Sequence, residues 1–118
     1  ITATPPHREI HKTALGATDS VSWKYWKKTV DAISELKQEG YHIFSVEQAE
    51  GALLLNQVNL AGNQKYALVF GHEIRGVEQG VVDMSDQCIE IPQYGTKHSL
   101  NISVAAGIVI WELFRRRT

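Results

Sequence analysis

The chain has 118 residues, of which 43% are hydrophobic and 21% are charged, and its net charge is −1. These values are typical of one globular domain, and they exclude a disordered tail, a collagen-like repeat and a uniformly basic nucleic-acid binder. The single cysteine, Cys88, excludes an internal disulfide and is typical of a reducing compartment such as the cytoplasm. Its apolar neighbours Ile89 and Ile91 favour a buried thiol over a reactive one.

Neither end of the chain predicts targeting to a membrane. Residues 1–8 lack the basic and apolar regions of a signal peptide. The most apolar segment, residues 102–114, is shorter than the roughly 20 residues that a membrane span needs, so a buried helix and no membrane contact are predicted. Because the chain begins at Ile1 and its only methionine is Met84, we expect it to be a piece of a longer protein.

In chain order, the pattern predicts helices that alternate with strands. After irregular residues 1–22, the spacing of Trp23, Trp26, Val30 and Ile33 predicts a helix over residues 23–38 with a buried aromatic stripe. The segments rich in β-branched and aromatic residues predict three strands, over 41–47, 65–70 and 88–91. Helical structure is predicted for a turn at 52–55, a short helix at 77–84 and a last helix from 99 to about 116. This alternation indicates an α/β domain with a parallel sheet.

Two polar loops follow predicted strands, at the sheet edge where ligands bind in open α/β folds. In the first loop, Gly71 permits close approach to the backbone and Gly76 permits a tight turn. Glu73 and Arg75 lie between these glycines, and they either face a cleft or pair with each other.

The second loop leads into the last helix. Ser99 can cap this helix, whose first backbone amides form a cradle for an anion or a polar ligand. We expect Asn101, a polar residue in the first turn of an apolar helix, to make a specific hydrogen bond. The residues alone therefore predict a ligand site between two strand-end loops, without G-x-G-x-x-G or P-loop spacing.

At these loops the sequence resembles a known family. The segments LVFGHEIRGV and IEIPQYGTKHSLNISVAAGIVIWE resemble motifs 2 and 3 of the SpoU-type (TrmH-like) RNA ribose 2′-O-methyltransferases, in the SPOUT superfamily. KTALGA and SVEQ, further upstream, are also similar to family members. The resemblance implies a parallel sheet flanked by helices, with a C-terminal trefoil knot. It also implies a homodimer, so the apolar helix over 102–114 is either intrachain core or in part a dimer interface.

The resemblance further implies methyl transfer from S-adenosyl-L-methionine to a ribose of tRNA or rRNA, with S-adenosylhomocysteine as the product. The implied cofactor-binding residues are Glu47, Gly71, Ile91, Ser99 and Leu100. Glu73 and Asn101 are the implied catalytic residues. The candidates for RNA contact are Arg8, Lys12, Arg75 and Lys97. Residues 115–117, all arginine, either contact RNA or only match the dipole of the helix C-terminus.

One element of the family, motif 1, has no counterpart in this sequence. Motif 1 is an Asn-x-Gly/Ser-x-x-x-Arg-like element whose arginine helps to activate the ribose hydroxyl, and the asparagines Asn56, Asn59 and Asn63 lack that spacing and that arginine. In the family, motif 1 would precede Ile1, so we expect about a strand–helix–strand unit to be missing.

The chain is accordingly interpreted as a partial domain over residues 1–118 that holds motifs 2 and 3 and is weakly active or inactive alone. The alternatives are a non-catalytic knotted module that binds RNA or a protein partner, and a generic nucleotide-binding α/β domain. No metal site is expected, because the five histidines lack metal-ligand spacing.

Overall fold

A computed structural model describes residues 21–71, 76–94 and 101–117. Within these ranges the helices are α1 (Thr29–Gln38), α2 (Gln79–Met84) and α3 (Ile102–Arg117). The strands are β1 (Tyr41–Val46), β2 (Leu53–Leu54), β3 (Lys65–Phe70) and β4 (Gln87–Glu90), and a 3₁₀ turn, Leu55–Gln57, follows β2.

The four strands form one sheet in the order β2-β4-β1-β3, and all the pairings are parallel. The central strand β1 pairs with β3 along its whole length, from Tyr41 opposite Lys65 to Val46 opposite Phe70. Parallel strands run the same way, so their carboxyl ends lie at one edge of the sheet. The prediction of an α/β domain with a parallel sheet is confirmed.

Both faces of the sheet are covered by helices. On one face, Ile43 of β1 packs with Ile33 of α1 and Val81 of α2. On the other face, Phe44 packs with Val109 and Leu113 of α3. All six side chains are buried, which is the usual state of a parallel sheet in an α/β protein.

The prediction of a helix over residues 23–38 with a buried aromatic stripe was wrong in its first part. Helix α1 begins at Thr29, and residues 21–28 belong to neither a helix nor a strand. Of the two aromatic residues in the predicted stripe, Trp23 is 52% exposed and Trp26 is half-buried. The apolar spacing continues through Trp23 and Trp26, but aromatic residues have a lower helix propensity than straight-chain residues.

The predicted sheet also lacked strand β2. A helical turn was expected over residues 52–55, whereas Leu53 pairs with Ile89 and the 3₁₀ turn begins only at Leu55. A strand of two residues is too short to show an alternating pattern, so its pairing partner rather than its own sequence determines it. The predictions of a short helix near 77–84 and of a strand near 88–91 are confirmed, with small shifts at their ends.

Asn101 lies immediately before α3, and not in its first turn as expected. Its side-chain oxygen accepts a hydrogen bond from the backbone amide of Ser103 at 2.9 Å, and its carbonyl oxygen accepts one from Ala105 at 2.9 Å. These are the bonds of an N-cap residue. The expected specific hydrogen bond is therefore present, and it is made to the helix itself.

Helix α3 has two different faces. Val109 and Leu113 are buried against the sheet. The other large apolar side chains of the helix are 37–63% exposed: Ile102, Val104, Ile108, Ile110, Trp111 and Phe114. The helix thus provides intrachain core and leaves a second apolar face in solvent. In the part of the chain that the structure describes, no helix has the length and apolar character to cross a bilayer.

Candidate functional site

At the carboxyl edge of the sheet, three of the four parallel strands are followed by residues predicted for the site. Glu47 follows β1, Gly71 follows β3 and Ile91 follows β4, and all three residues are half-buried. The amide of Glu47 donates a hydrogen bond to the carbonyl of Ile89 at 3.0 Å, which extends the pairing of β1 and β4 by one step. The sheet therefore holds the residues after β1 and β4 close together.

Gly71 lies directly against the backbone of a returning segment. A Cβ atom at Gly71 would fall less than 3.0 Å from the carbonyl carbon and oxygen of Gly76 and from the amide nitrogen of Val77. Real Cβ atoms essentially never come so close, so only glycine fits at this position. The prediction that Gly71 permits close approach is confirmed, and the approaching group is the chain's own backbone.

Gly76 lies in this segment and has a backbone conformation that favours glycine. Its φ angle is +68°, in the left-handed region that side chains disfavour. The carboxylate of Glu47 lies beside it, and its Oε1 accepts a hydrogen bond from the amide of Val77 at 3.2 Å. A Cβ atom at Gly76 would overlap that same oxygen. The carboxylate thus fastens the returning segment to the end of β1.

Cys88 lies beside this edge, on β4. Burial raises the pKa of its thiol, and the negative charge of Glu47 raises the pKa further. Both effects favour the neutral thiol, which is the less reactive form. The half-buried position and the direction of the shift agree with a structural cysteine.

The model of the SpoU rRNA Methylase family matches residues 1–111. The chain belongs to this family.

Individual relatives agree with that assignment. The chain is 36% identical over 102 residues to the tRNA (guanosine(18)-2′-O)-methyltransferase of Borreliella burgdorferi, a match of 86% of this chain and 46% of that protein. It overlays the TrmH/SpoU tRNA modifying enzyme of A. aeolicus with a TM-score of 0.81 and 30% identity, covering 91% of this chain and 53% of that one.

A third match is to an AdoMet-bound rRNA methyltransferase from Sinorhizobium meliloti, with a TM-score of 0.67 and 25% identity. It covers 75% of this chain and 33% of that one. The chain spans about half the length of the curated relatives it matches.

The sequence predicted site residues for this SpoU family chain, and four of them lie within the described ranges. Glu47, Gly71 and Ile91 share the carboxyl edge, and Asn101 caps α3. Outside the described residues lie Glu73, Ser99, Leu100, Arg8, Lys12, Arg75 and Lys97. Sequence reasoning missed the contact of Glu47 with Val77, since nothing in either local pattern indicates a partner 30 residues away.

The arginines at the end of α3 have intrachain partners. Arg115 forms a bidentate pair with Glu112, with both distances at 2.9 Å. Arg116 donates hydrogen bonds to the carbonyls of Leu55 and Val58. Arg117 donates to the carbonyl of Gly62 at 3.4 Å. Two of the three arginines therefore fasten the segment after β2 to α3, a role that neither sequence interpretation included.

A second cleft, of about 640 Å³, lies at the opposite edge of the sheet, where β1, β3 and β4 begin. Its walls include His42, Phe44 and Tyr66, whose rings pack against one another at centroid distances of 5.2–5.7 Å. Ligands in open α/β sheets bind at the carboxyl ends of strands, so the edge at Glu47 and Gly71 is the better candidate. Among the described residues, no cluster of three or more His, Cys, Asp or Glu side chains could hold a metal ion.

Proposed function

We propose that the chain is the cofactor-binding portion of an S-adenosyl-L-methionine-dependent enzyme that methylates the ribose 2′-hydroxyl of tRNA or rRNA. The observation that carries this proposal is the closure of Gly76 and Val77 onto Gly71 beside the Glu47 carboxylate. This closure occurs at the ligand-binding edge of a SpoU family sheet. The match to the AdoMet-bound Sinorhizobium meliloti enzyme supports the choice of cofactor.

The chemistry of the edge fits a nucleoside that carries an amino acid tail. Such a ligand needs an apolar contact for its base, and polar groups for its hydroxyls and amines. Ile91 supplies apolar surface, and the half-buried backbone of Gly71 supplies an amide and a carbonyl. We propose that Glu47, Gly71 and Ile91, together with Ser99 and Leu100, hold the cofactor.

The proposed reaction is an in-line displacement. When bound, the cofactor supplies a methyl group on a positively charged sulfur and is left as the neutral thioether S-adenosylhomocysteine. The ribose hydroxyl is a poor nucleophile near neutral pH, so its proton must pass to a base as the oxygen–carbon bond forms. Holding the oxygen in line with the methyl carbon is the protein's other task.

We assign the positioning of the ribose to Glu73 and Asn101. The side-chain oxygen of Asn101 is engaged in capping α3, and its amide nitrogen remains as a donor to substrate. For the RNA phosphates we propose Arg8, Lys12, Arg75 and Lys97, since phosphate contacts are made largely by cationic side chains.

We further propose that the protein is a cytoplasmic homodimer with a C-terminal trefoil knot. The exposed apolar face of α3, with Ile110 and Trp111 at 54% and 63% exposure, supports the dimer. The single cysteine supports a reducing compartment.

The test is a thermal unfolding experiment with S-adenosylhomocysteine and, in parallel, with ATP. A ligand present at ten times its Kd stabilises the folded state by about 1.4 kcal/mol, which corresponds to a rise in Tm of several degrees. We expect this rise with S-adenosylhomocysteine and none with ATP. A rise with ATP alone would contradict the proposal and favour a generic nucleotide-binding domain.

A methylation assay with tRNA or rRNA separates the enzyme from a binding module. We expect transfer of a labelled methyl group by a longer protein that carries this chain together with motif 1. We expect little or none by this chain alone. RNA binding with no response to S-adenosylhomocysteine would instead support a non-catalytic module.

A further inference from the structure

Residues 21–28, which we call the aromatic–lysine segment, have the sequence VSWKYWKK. The segment contains three aromatic residues, three lysines and no carboxylate, in a chain whose net charge is −1. It belongs to no helix or strand, and its last residue, Lys28, is extended with φ −123° and ψ 127°. The local charge therefore differs in sign from that of the whole chain.

Most side chains of this segment are open to solvent, and only Trp26 is half-buried. Val21, Trp23 and Tyr25 are 64%, 52% and 58% exposed. Single exposed apolar residues are common on protein surfaces and need no explanation. Here, however, two aromatic rings lie on either side of Lys24, and Lys27 and Lys28 follow them. The surface therefore carries both flat apolar rings and positive charge.

The remaining aromatic and charged side chains differ in their contacts with other described residues. The ammonium group of Lys24 lies 4.3 Å from the centre of the half-buried Trp26 ring and 3.8 Å from the carboxylate of Glu35. Lys24 thus contacts the Trp26 ring and Glu35 of α1. Lys27 and Lys28 are exposed, and among the described residues no ion-pair partner is present for either of them.

We propose that the aromatic–lysine segment binds single-stranded RNA, with bases stacked on Trp23 and Tyr25 and phosphates next to Lys27 and Lys28. Every base has a face that can stack on an aromatic ring, and lysines next to the rings attract the backbone phosphates. In a duplex the bases already stack on one another, so unpaired RNA is the form that can use these rings. The choice of RNA rests on the proposed function.

A second copy of the chain fits this surface less well. A symmetric dimer would place the same patch on both sides of the interface, so the lysines would face lysines. Like charges placed opposite each other disfavour association. The polyanionic backbone of RNA matches the same charges, and the charge pattern therefore favours RNA.

The test measures binding of a fluorescein-labelled oligouridine to the purified chain by fluorescence anisotropy. We expect the double variant Trp23→Ala, Tyr25→Ala to weaken binding about tenfold or more. Each base–aromatic stack contributes roughly 1–3 kcal/mol, which corresponds to a factor of about 5 to over 100 in affinity. The matched variant Trp23→Phe, Tyr25→Phe keeps flat rings and should bind within about threefold of the original chain. A duplex of comparable length should not distinguish the two variants.

The lysines are tested through the salt dependence of the same binding. Each phosphate contact on a single strand contributes about 0.7 to the slope of log K against log salt, so Lys27→Gln with Lys28→Gln should lower the slope by about 1.4. Lys37→Gln with Lys65→Gln changes the net charge equally at exposed positions elsewhere, and it should leave the slope nearly unchanged.

Three outcomes would overturn the inference. The first is an unchanged RNA affinity in the alanine double variant, and the second is an equal loss of salt slope in the two lysine double variants. The third is a change in the sedimentation of the alanine double variant without a change in its RNA affinity, which would assign the surface to a second copy. The response of the unaltered chain to S-adenosylhomocysteine is read separately, so failure of the proposed function can be distinguished from failure of this inference.

Discussion

The carboxyl edge of the sheet and the aromatic–lysine segment are opposite kinds of surface. At the edge, Gly71 and Gly76 bring backbone against backbone with no room for a side chain between them. In the segment, Trp23 and Tyr25 extend from irregular backbone into solvent. A site built from closely packed backbone tolerates no added atom, whereas exposed side chains can be removed without loss of the fold. Stability measurements can therefore separate the two regions.

The largest effect should follow from Gly71→Ala. The added methyl group would overlap backbone atoms of Gly76 and Val77, and backbone cannot rotate away as the end of a side chain can. We expect the free energy of unfolding to fall by about 3 kcal/mol or more, which is the upper range for overpacking. Urea denaturation at constant m-value measures this change.

Two variants serve as controls for that experiment. Gly80 in α2 has only Val30 Cγ1 near a Cβ position, at an ordinary 3.8 Å, so Gly80→Ala should raise stability by up to about 1 kcal/mol. Removing both exposed rings, with Trp23→Ala and Tyr25→Ala, should change stability by less than about 1 kcal/mol, as is usual for surface positions. Equal losses in all three variants would remove the distinction between the two regions.

The sequence predicted the edge better than the segment, and the reason is physical. A strand of six residues such as β3 carries its own signature, and a glycine directly after it indicates close approach. At the edge, local composition and tertiary structure agree. The parallel sheet and the approach at Gly71 could therefore be predicted.

Other features depend on partners distant in sequence. Strand β2 exists because β4 offers Ile89 and Glu90 as pairing partners, and its own two leucines fit a helix equally well. The contact of Glu47 with Val77 forms only when the sheet is assembled. The start of α1 was misplaced because apolar spacing records which side chains could share a face, while helix propensity and packing decide whether they do.

A smaller effect is expected from Gly76→Ala, which has two separable causes. The φ angle of +68° disfavours any side chain by about 1 kcal/mol, and the methyl group would also displace the Glu47 carboxylate from the Val77 amide. We expect a loss of about 2 kcal/mol in total, because the hydrogen bond to a charged group adds to the backbone term.

Gly40→Ala isolates the first cause. Gly40 has a φ angle of +90° and no heavy atom within 4 Å of a Cβ position, so its substitution should cost only the backbone term of about 1 kcal/mol. In a Glu47→Ala background, the cost of Gly76→Ala should fall to the same value. If Gly76→Ala costs as much in that background as in the original chain, Glu47 does not hold the returning segment.

The smallest effect is the pH dependence contributed by Cys88. Burial, and then the charge of Glu47, raise the pKa of the folded thiol above its ordinary value of 9.0. The unfolded thiol therefore loses its proton first as the pH rises, and the unfolded state is favoured. This contribution to stability is complete below pH 9.0, and it is lost as the pH rises through the folded pKa. Stability relative to a Cys88→Ala variant should thus decline above that pH.

Glu47→Gln tests whether the edge carboxylate takes part in this effect. Removing the charge should lower the folded pKa of Cys88 part of the way, because burial is the larger cause and remains. The rate of alkylation by iodoacetamide against pH follows the thiolate and reports this pKa. The aromatic–lysine segment contains no carboxylate, so Trp23→Ala with Tyr25→Ala should leave the alkylation curve unchanged. If the alkylation curve shifts in the variant Trp23→Ala with Tyr25→Ala but not in Glu47→Gln, the two regions are coupled. In that case the charge of Glu47 does not raise the pKa of Cys88.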